Sequence, residues 1–398
     1  MIRSARLLAA LSLPALLLAS CGAEKLGAET GETAAPAETA KAAAAFTIAE
    51  KGKFNEPWAI AFAPGTDTLF VTEKSGSVKF LDTATGTIGT VSGVPEVAYG
   101  GQGGLGDIAF LPAEASATLG GRMIYLSWAE AGESDTRGAV VGKGKLACAA
   151  ATACAIEGLA VIWRQTPKFT GRGHYSHRIA VSPDGKHLYI ASGERQKMQP
   201  AQDTAATLGK IVRLNLDGTP AAGNPMADKA KETGNSVTAE IWSMGHRNIL
   251  GMDWDAQGRL WEVEHGPAGG DELNLVKAGA NYGWPIRSNG EHYNGDAIPD
   301  HAAGDGFAQP ATGWTPVIAP GDMLIYSGAM FGAWKGQALI PGLGSQALVR
   351  VAFDGERARE VARYEMSARL RSIAQGPDGA IWIAEDGKDG KLLKLTAR

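Results

Sequence analysis

The 398-residue chain sets 38 Lys and Arg against 42 Asp and Glu for a net charge of −4, with 44% apolar and 20% charged residues and 53 glycines. Balanced charge with no block of one sign argues against a nucleic-acid surface, and the apolar share excludes wholesale disorder or a collagen-like repeat. Glycine at nearly twice its usual level of about 7% then points to a compact fold with many turns, whose partner is a small molecule or another protein.

Residues 1–21 read as an address. Arg3 and Arg6 precede an apolar run from Leu7 to Leu18 that is too short to span a bilayer. The run ends Leu18-Ala19-Ser20-Cys21, which resembles the bacterial lipobox, in which the Cys is acylated and becomes the new N-terminus. The expectation is an exported lipoprotein, anchored in the periplasm through Cys21, with Gly22 compatible with transfer to the outer membrane. Residues 22–45, rich in Ala, Glu, Thr and Pro, read as a disordered tether. That leaves 46–398 as the folded domain. Its cysteines, Cys148 and Cys154, are most simply a disulfide across a hairpin loop, since no further Cys or His stands nearby to complete a metal site.

A repeat runs through 46–398. Ala63-Pro64-Gly65 leads into Leu69-Phe70-Val71, and Ser182-Pro183-Asp184-Gly185 into Leu188-Tyr189-Ile190. Asp255-Ala256-Gln257-Gly258 leads into Leu260-Trp261, and Gly376-Pro377-Asp378-Gly379 into Ile381-Trp382-Ile383. Weaker copies stand at Ile124-Tyr125-Leu126 and Ala338-Leu339-Ile340. Each unit is a turn followed by a β-rich run, often with a central aromatic, and further β-runs follow at Ser77–Leu81 and Lys210–Leu216. Six copies predict an all-β, six-bladed β-propeller with four-stranded antiparallel blades, closed into one domain.

Four Gly-rich polar segments lie between the repeats, at 99–106, 171–178, 243–248 and 264–272. In a propeller such segments gather at one mouth of the central channel. Histidine there is the natural general base near neutral pH, although any single His serves as readily in a structural hydrogen bond. The carbonyls around Gly266 and Pro267, with Asp271 and Glu272, are oxygen ligands suited to Ca²⁺, or equally to a plain turn.

The combination of Gly101-Gln102-Gly103-Gly104-Leu105-Gly106, His174 with Arg178, and Gly245-His246-Arg247-Asn248 resembles the soluble aldose sugar dehydrogenases, of glucose/sorbosone type, that use pyrroloquinoline quinone. So does Glu264-His265-Gly266-Pro267 running on to Asn281-Tyr282-Gly283-Trp284-Pro285. The resemblance covers 50–396 in order and implies a six-bladed propeller. It implies that His174 is the general base toward the sugar C1 hydroxyl, with Glu194 orienting it and Arg247 stabilising the developing negative oxygen. Gln102, Arg247, Asn248 and Tyr293 would contact the cofactor, and Arg369 and Arg371 would hold its carboxylates. Gly266 and Pro267 would supply carbonyls to a cofactor-bound Ca²⁺, and Glu272 and Tyr282 would form a further Ca²⁺ site. The substrate would be an aldose, the product its lactone, and the electron acceptor external.

Two positions depart from the pattern. Pro341-Gly342-Leu343-Gly344 stands where relatives carry a Lys, which removes one cation from the cofactor site. His177 replaces a small residue and puts a second imidazole near His174, in a supporting or steric role before a chemical one. A Ca²⁺-dependent lactonase would share fold and metal but would not need the spaced arginines Arg369 and Arg371. A non-catalytic binding propeller would not need a base beside a cofactor cradle.

Overall fold

The structure, a computed structural model, describes residues 45–398. The expected signal peptide, the expected lipidation at Cys21 and the expected tether up to residue 44 lie outside the described residues. Among the described residues no helix is long and apolar enough to cross a membrane.

The fold is all-β. Strands form four separate four-stranded sheets, one nine-stranded sheet and a two-stranded ribbon. Within the nine-stranded sheet two antiparallel runs follow one another, from Pro57–Phe62 to Ile88–Ser92 and from Leu105–Phe110 to Ala153–Arg164. This differs from the expected separate antiparallel units. The hairpin Thr136–Ala150 and Ala153–Arg164 outgrows its neighbours, and its return strand pairs in parallel with the last strand of the preceding run, Val91 facing Cys154. The disulfide Cys148–Cys154 closes the tip of that hairpin.

The first strands of successive runs pack on one another in a closed cycle: Pro57–Phe62, Leu105–Phe110, Ser176–Val181, Ile249–Trp254, Leu324–Ile325 and Leu370–Gln375, which returns to Pro57–Phe62. The sheet containing Leu370–Gln375 is completed by the N-terminal strand Phe46–Phe54, which pairs antiparallel with the C-terminal strand Gly390–Ala397. Apolar clusters fill the spaces between successive runs; Phe70 meets Phe110 at 5.1 Å in one of them.

The repeated turn has one physical design. Gly65, Gly185, Gly258 and Gly379 sit at φ of +79°, +70°, +75° and +81°, where glycine alone is unstrained. In the turns that carry an Asp ahead of the Gly, its side chain bonds a backbone amide beyond the turn: Asp184 Oδ1 accepts from Lys186 N, and Asp255 Oδ1 from Arg259 N. The aromatic residues that follow, Phe70, Tyr189, Trp261 and Trp382, are all buried.

A second regularity places the site. Five of the six inner strands carry a β-bulge near their start, each giving one strand an extra residue against its partner. Trp58, Leu250 and Arg371 are the extra residues in three of them, and His177 and Arg178 fall within a fourth. Re-aimed by the bulges, Trp58, His177, Leu250 and Arg371 all line one central cavity.

Candidate active site

The cavity has a volume of about 290 Å³ and is lined from the segments around Gln102, Tyr175, Asn248 and Asp386. Its floor is aromatic. His177 stacks on Tyr175 at 5.2 Å and meets Trp58 edge-on at 5.6 Å. Burial pushes His177 down to about 3, so the ring is neutral, and neither of its nitrogens has a hydrogen-bond partner among the described residues. The second imidazole foreseen beside His174 is therefore an uncharged part of the aromatic lining.

His174 does not itself line the cavity but directly precedes Tyr175, which does; it is 6% exposed and in the left-handed region at φ +48°. Its amide donates to Gln102 Oε1 at 2.8 Å, and its carbonyl accepts from Arg195 N at 3.1 Å, which together hold this strained backbone. The Nδ1 atom meets Glu194 Oε1 in a short contact. The other oxygen of Glu194 accepts from the amides of Lys197 at 2.5 Å and Met198 at 2.6 Å. Burial pushes the His174 imidazole below its ordinary value, against the pull of Glu194 and helped by Arg247. His174 is thus neutral near pH 7, with the proton on Nδ1 toward Glu194 and a lone pair on Nε2.

Arg247 and Asn248 are placed by one carboxylate that the sequence reading did not single out. Glu264 Oε2 accepts from Arg247 N at 2.5 Å and Asn248 N at 3.2 Å, and Oε1 accepts from His246 Nδ1 at 3.2 Å. Arg247 Nη1 donates to His265 O at 3.1 Å and Nη2 to the Tyr293 hydroxyl at 3.2 Å, while Nε is buried without a partner. The guanidinium lies over Trp284 at 5.2 Å, and Tyr293 itself is exposed. Asn248 Oδ1 accepts from Ser176 N at 3.2 Å.

On the cavity wall Arg369 and Arg371 converge on Asp386, also unforeseen. Arg369 Nε donates to Oδ2 at 2.9 Å and Arg371 Nε to Oδ1 at 3.0 Å. The two arginines hold the Asp386 carboxyl below its usual range, against its burial. One carboxylate thereby fixes two guanidinium forks at the edge of one cavity.

Beneath Arg247 lies a second space of about 10 Å³, room for a single water or ion, edged by Glu264, Glu272, Gly266, Gly270 and Tyr282. The spacing of Gly266 shows why it carries no side chain: a Cβ would fall 2.2 Å from Gly269 O and 2.3 Å from Gly270 O. Asp271 ties the loop, accepting from Gly266 N at 2.9 Å and Ala319 N at 2.6 Å. Glu262 joins Glu272 through Asn274, and one Glu262 oxygen and the Asn274 carbonyl oxygen are buried unpartnered. Such hard oxygens suit Ca²⁺. Of the four expected metal residues, Gly266, Glu272 and Tyr282 edge this space; Pro267 is buried beside it in the loop and does not edge it.

A family model described as Glucose / Sorbosone dehydrogenase matches residues 54–394. The chain belongs to that family. It is 35% identical over 353 residues to aldose sugar dehydrogenase YliI of Escherichia coli (strain K12), covering 87% of this chain and 91% of that protein. The crystal structure of the soluble aldose sugar dehydrogenase from Escherichia coli in the apo-form superposes with a TM-score of 0.81 at 32% identity, over 89% of this chain and 100% of that one. The PQQ-bound form of an aldose sugar dehydrogenase from Streptomyces coelicolor gives 0.71 at 27% identity, over 89% and 98%. As a glucose/sorbosone dehydrogenase family member the protein is an oxidoreductase.

Proposed function

We propose that the protein is a six-bladed β-propeller that binds pyrroloquinoline quinone and Ca²⁺ and oxidises an aldose at its C1 hydroxyl to the lactone, with electrons leaving to an external acceptor. The cycle of six inner strands, with each run counted as a blade, supports the architecture. The clamp of Arg369 and Arg371 on Asp386 carries the functional reading. It lays fixed cations along a cavity with an aromatic floor, which fits a flat polycarboxylate and gives a hydrolytic propeller no advantage. When bound, the quinone supplies the hydride acceptor.

The chain's own residues supply the rest. His174 Nε2 takes the proton of the C1 hydroxyl while Glu194 holds the imidazole and balances the charge it gains. Arg247, with a buried and unpaired Nε, stabilises negative charge developing on oxygen next to it. Gln102 fixes His174 through its amide, Asn248 and Tyr293 flank Arg247, and Arg369 and Arg371 hold carboxylates. Gly266 and Pro267 would offer carbonyls to a cofactor-bound Ca²⁺, and Glu272 and Tyr282 would hold a further Ca²⁺. Export and an acyl anchor on Cys21 would place the enzyme in the periplasm, in contact with the outer membrane only through its lipid.

Reconstitution tests the reading. Apo-protein is given pyrroloquinoline quinone and Ca²⁺, offered a panel of aldoses, and followed by reduction of an artificial dye. Saturable cofactor binding with aldose-dependent reduction is expected; no binding at micromolar cofactor sinks the assignment.

A further inference from the structure

Arg369 and Arg371 are not the only cations at the cavity wall. Lys74 and Glu56 line it beside Asp386 and Gly387. The Lys74 ammonium donates to Gly101 O at 2.8 Å and lies 3.9 Å from Glu56 Oε1. Glu56 Oε2 is taken by the Tyr99 hydroxyl at 2.5 Å. Lys74 is therefore held but not neutralised by a close ion pair, unlike Arg369 and Arg371 on Asp386.

The backbone shows that this position is built. Glu56 adopts φ +48°, costly for a residue with a Cβ. It is held there by its amide, which donates to Gly387 O at 3.0 Å, and its carbonyl, which accepts from Lys74 N at 3.0 Å. Next to it, Glu73 accepts from Asn55 N at 2.8 Å and from Ser77 Oγ at 2.5 Å, fixing both flanks. Gly104 meets the same segment: a Cβ there would fall 2.1 Å from Lys74 O.

We propose that Lys74 is a third cationic contact to the anionic ligand of this cavity, reaching it from the strand-end beside the turn that carries Asp386, with Glu56 and Gly101 O as its resting partners. The proposal rests on the cofactor reading above. A ligand carboxylate arriving at the cavity takes the Lys74 ammonium in place of the distant Glu56 oxygen, and no covalent step is involved.

The test is equilibrium titration of apo-protein with pyrroloquinoline quinone, read by quenching of Trp fluorescence, for wild type, Lys74→Met, Lys74→Arg and Arg371→Met. Lys74→Met is expected to weaken binding about 10- to 100-fold and to flatten its salt dependence, and Lys74→Arg to recover most of the loss. The trimethyl ester of the cofactor, lacking carboxylate charge, should bind wild type and Lys74→Met alike. Equal affinity of Lys74→Met and wild type for the free acid overturns the proposal, and so does an equal loss with the ester, which would mean a collapsed Gly101 loop. If Arg371→Met weakens binding and Lys74→Met does not, only the Lys74 assignment falls. If wild type itself does not bind, the cofactor reading falls with it.

Discussion

Glu194 holds His174 from one side only. One oxygen meets Nδ1 and the other is occupied by the amides of Lys197 and Met198, so the carboxylate cannot rotate away and the imidazole presents Nε2 alone to a substrate. On the proposed reading this pairs a base with its orienting anion, and it makes the protonation state of His174 a measurable property of the site.

Because burial and Arg247 push His174 below the ordinary imidazole value of about 6.5, its basic form persists into mildly acidic solution. A base works deprotonated, so the acid limb of kcat/KM should be centred below the ordinary imidazole value. His174→Gln should cut kcat by about 100-fold or more while cofactor titration stays nearly unchanged. An acid limb centred above pH 7, or a variant with substantial turnover, would remove His174 from that role.

Asp386→Ala offers a test in which charge and orientation predict opposite signs. Removing an anion beside a cavity for an anionic ligand should tighten binding if only net charge counts. Since Asp386 fixes both Arg369 and Arg371, the expectation is weaker binding, by about tenfold, with little change in the pH profile. Tighter binding in the titration would show that the arginines need no clamp.

Arg178 lies below the cavity floor, buried, 3.2 Å from Asp107 and 3.4 Å from Asp322, with its guanidinium 4.3 Å from the Trp58 ring. Arg178→Met would leave two buried carboxylates without their cation. Denaturant unfolding should show a loss of about 3–5 kcal/mol. The loss should be smaller at pH 5 than at pH 8, because burial already pushes Asp107 up to about 6 and protonation then relieves it. A pH-independent loss would point to packing against Trp58 instead.

The small space between Glu264 and Glu272 predicts a metal-dependent stability. Millimolar Ca²⁺ added to chelator-treated protein should raise Tm, with the gain growing with concentration as binding linkage requires. Glu272→Gln should lose most of that gain while folding normally. A Tm indifferent to Ca²⁺ in wild type would leave these carboxylates with a purely structural role.

Much of this was legible in the chain because it is written in local chemistry. The Pro-Asp-Gly turns demand positive φ, and the Gly-rich segments mark close backbone approaches, so the repeat and the site loops could be read before any coordinates. The partners could not. Asp386 stands in Glu385-Asp386-Gly387-Lys388-Asp389-Gly390, which reads as one more hairpin turn, and Glu264 reads as the end of a strand. Lys74 likewise reads as an ordinary residue of a tight turn. Their meaning comes from strands far away in sequence, Leu370–Gln375 for Asp386 and Ile241–Met244 with its following loop for Glu264. The bulges leave no signature either, since an extra residue is defined only against its partner strand. The parallel pairing of Ile88–Ser92 with the long hairpin was missed for the same reason.

The joining of Phe46–Phe54 to Gly390–Ala397 has a consequence for how the binding site comes into being. Glu56 lies just after the first of these strands and Asp386 and Gly387 just before the second, so this part of the cavity straddles the place where the two ends of the domain meet. A nascent chain still lacking its last strand therefore has no complete anion cradle, however well its earlier sheets have formed. Ligand binding becomes a reporter of the final stitch in folding, and a ligand bound across that stitch would resist its opening.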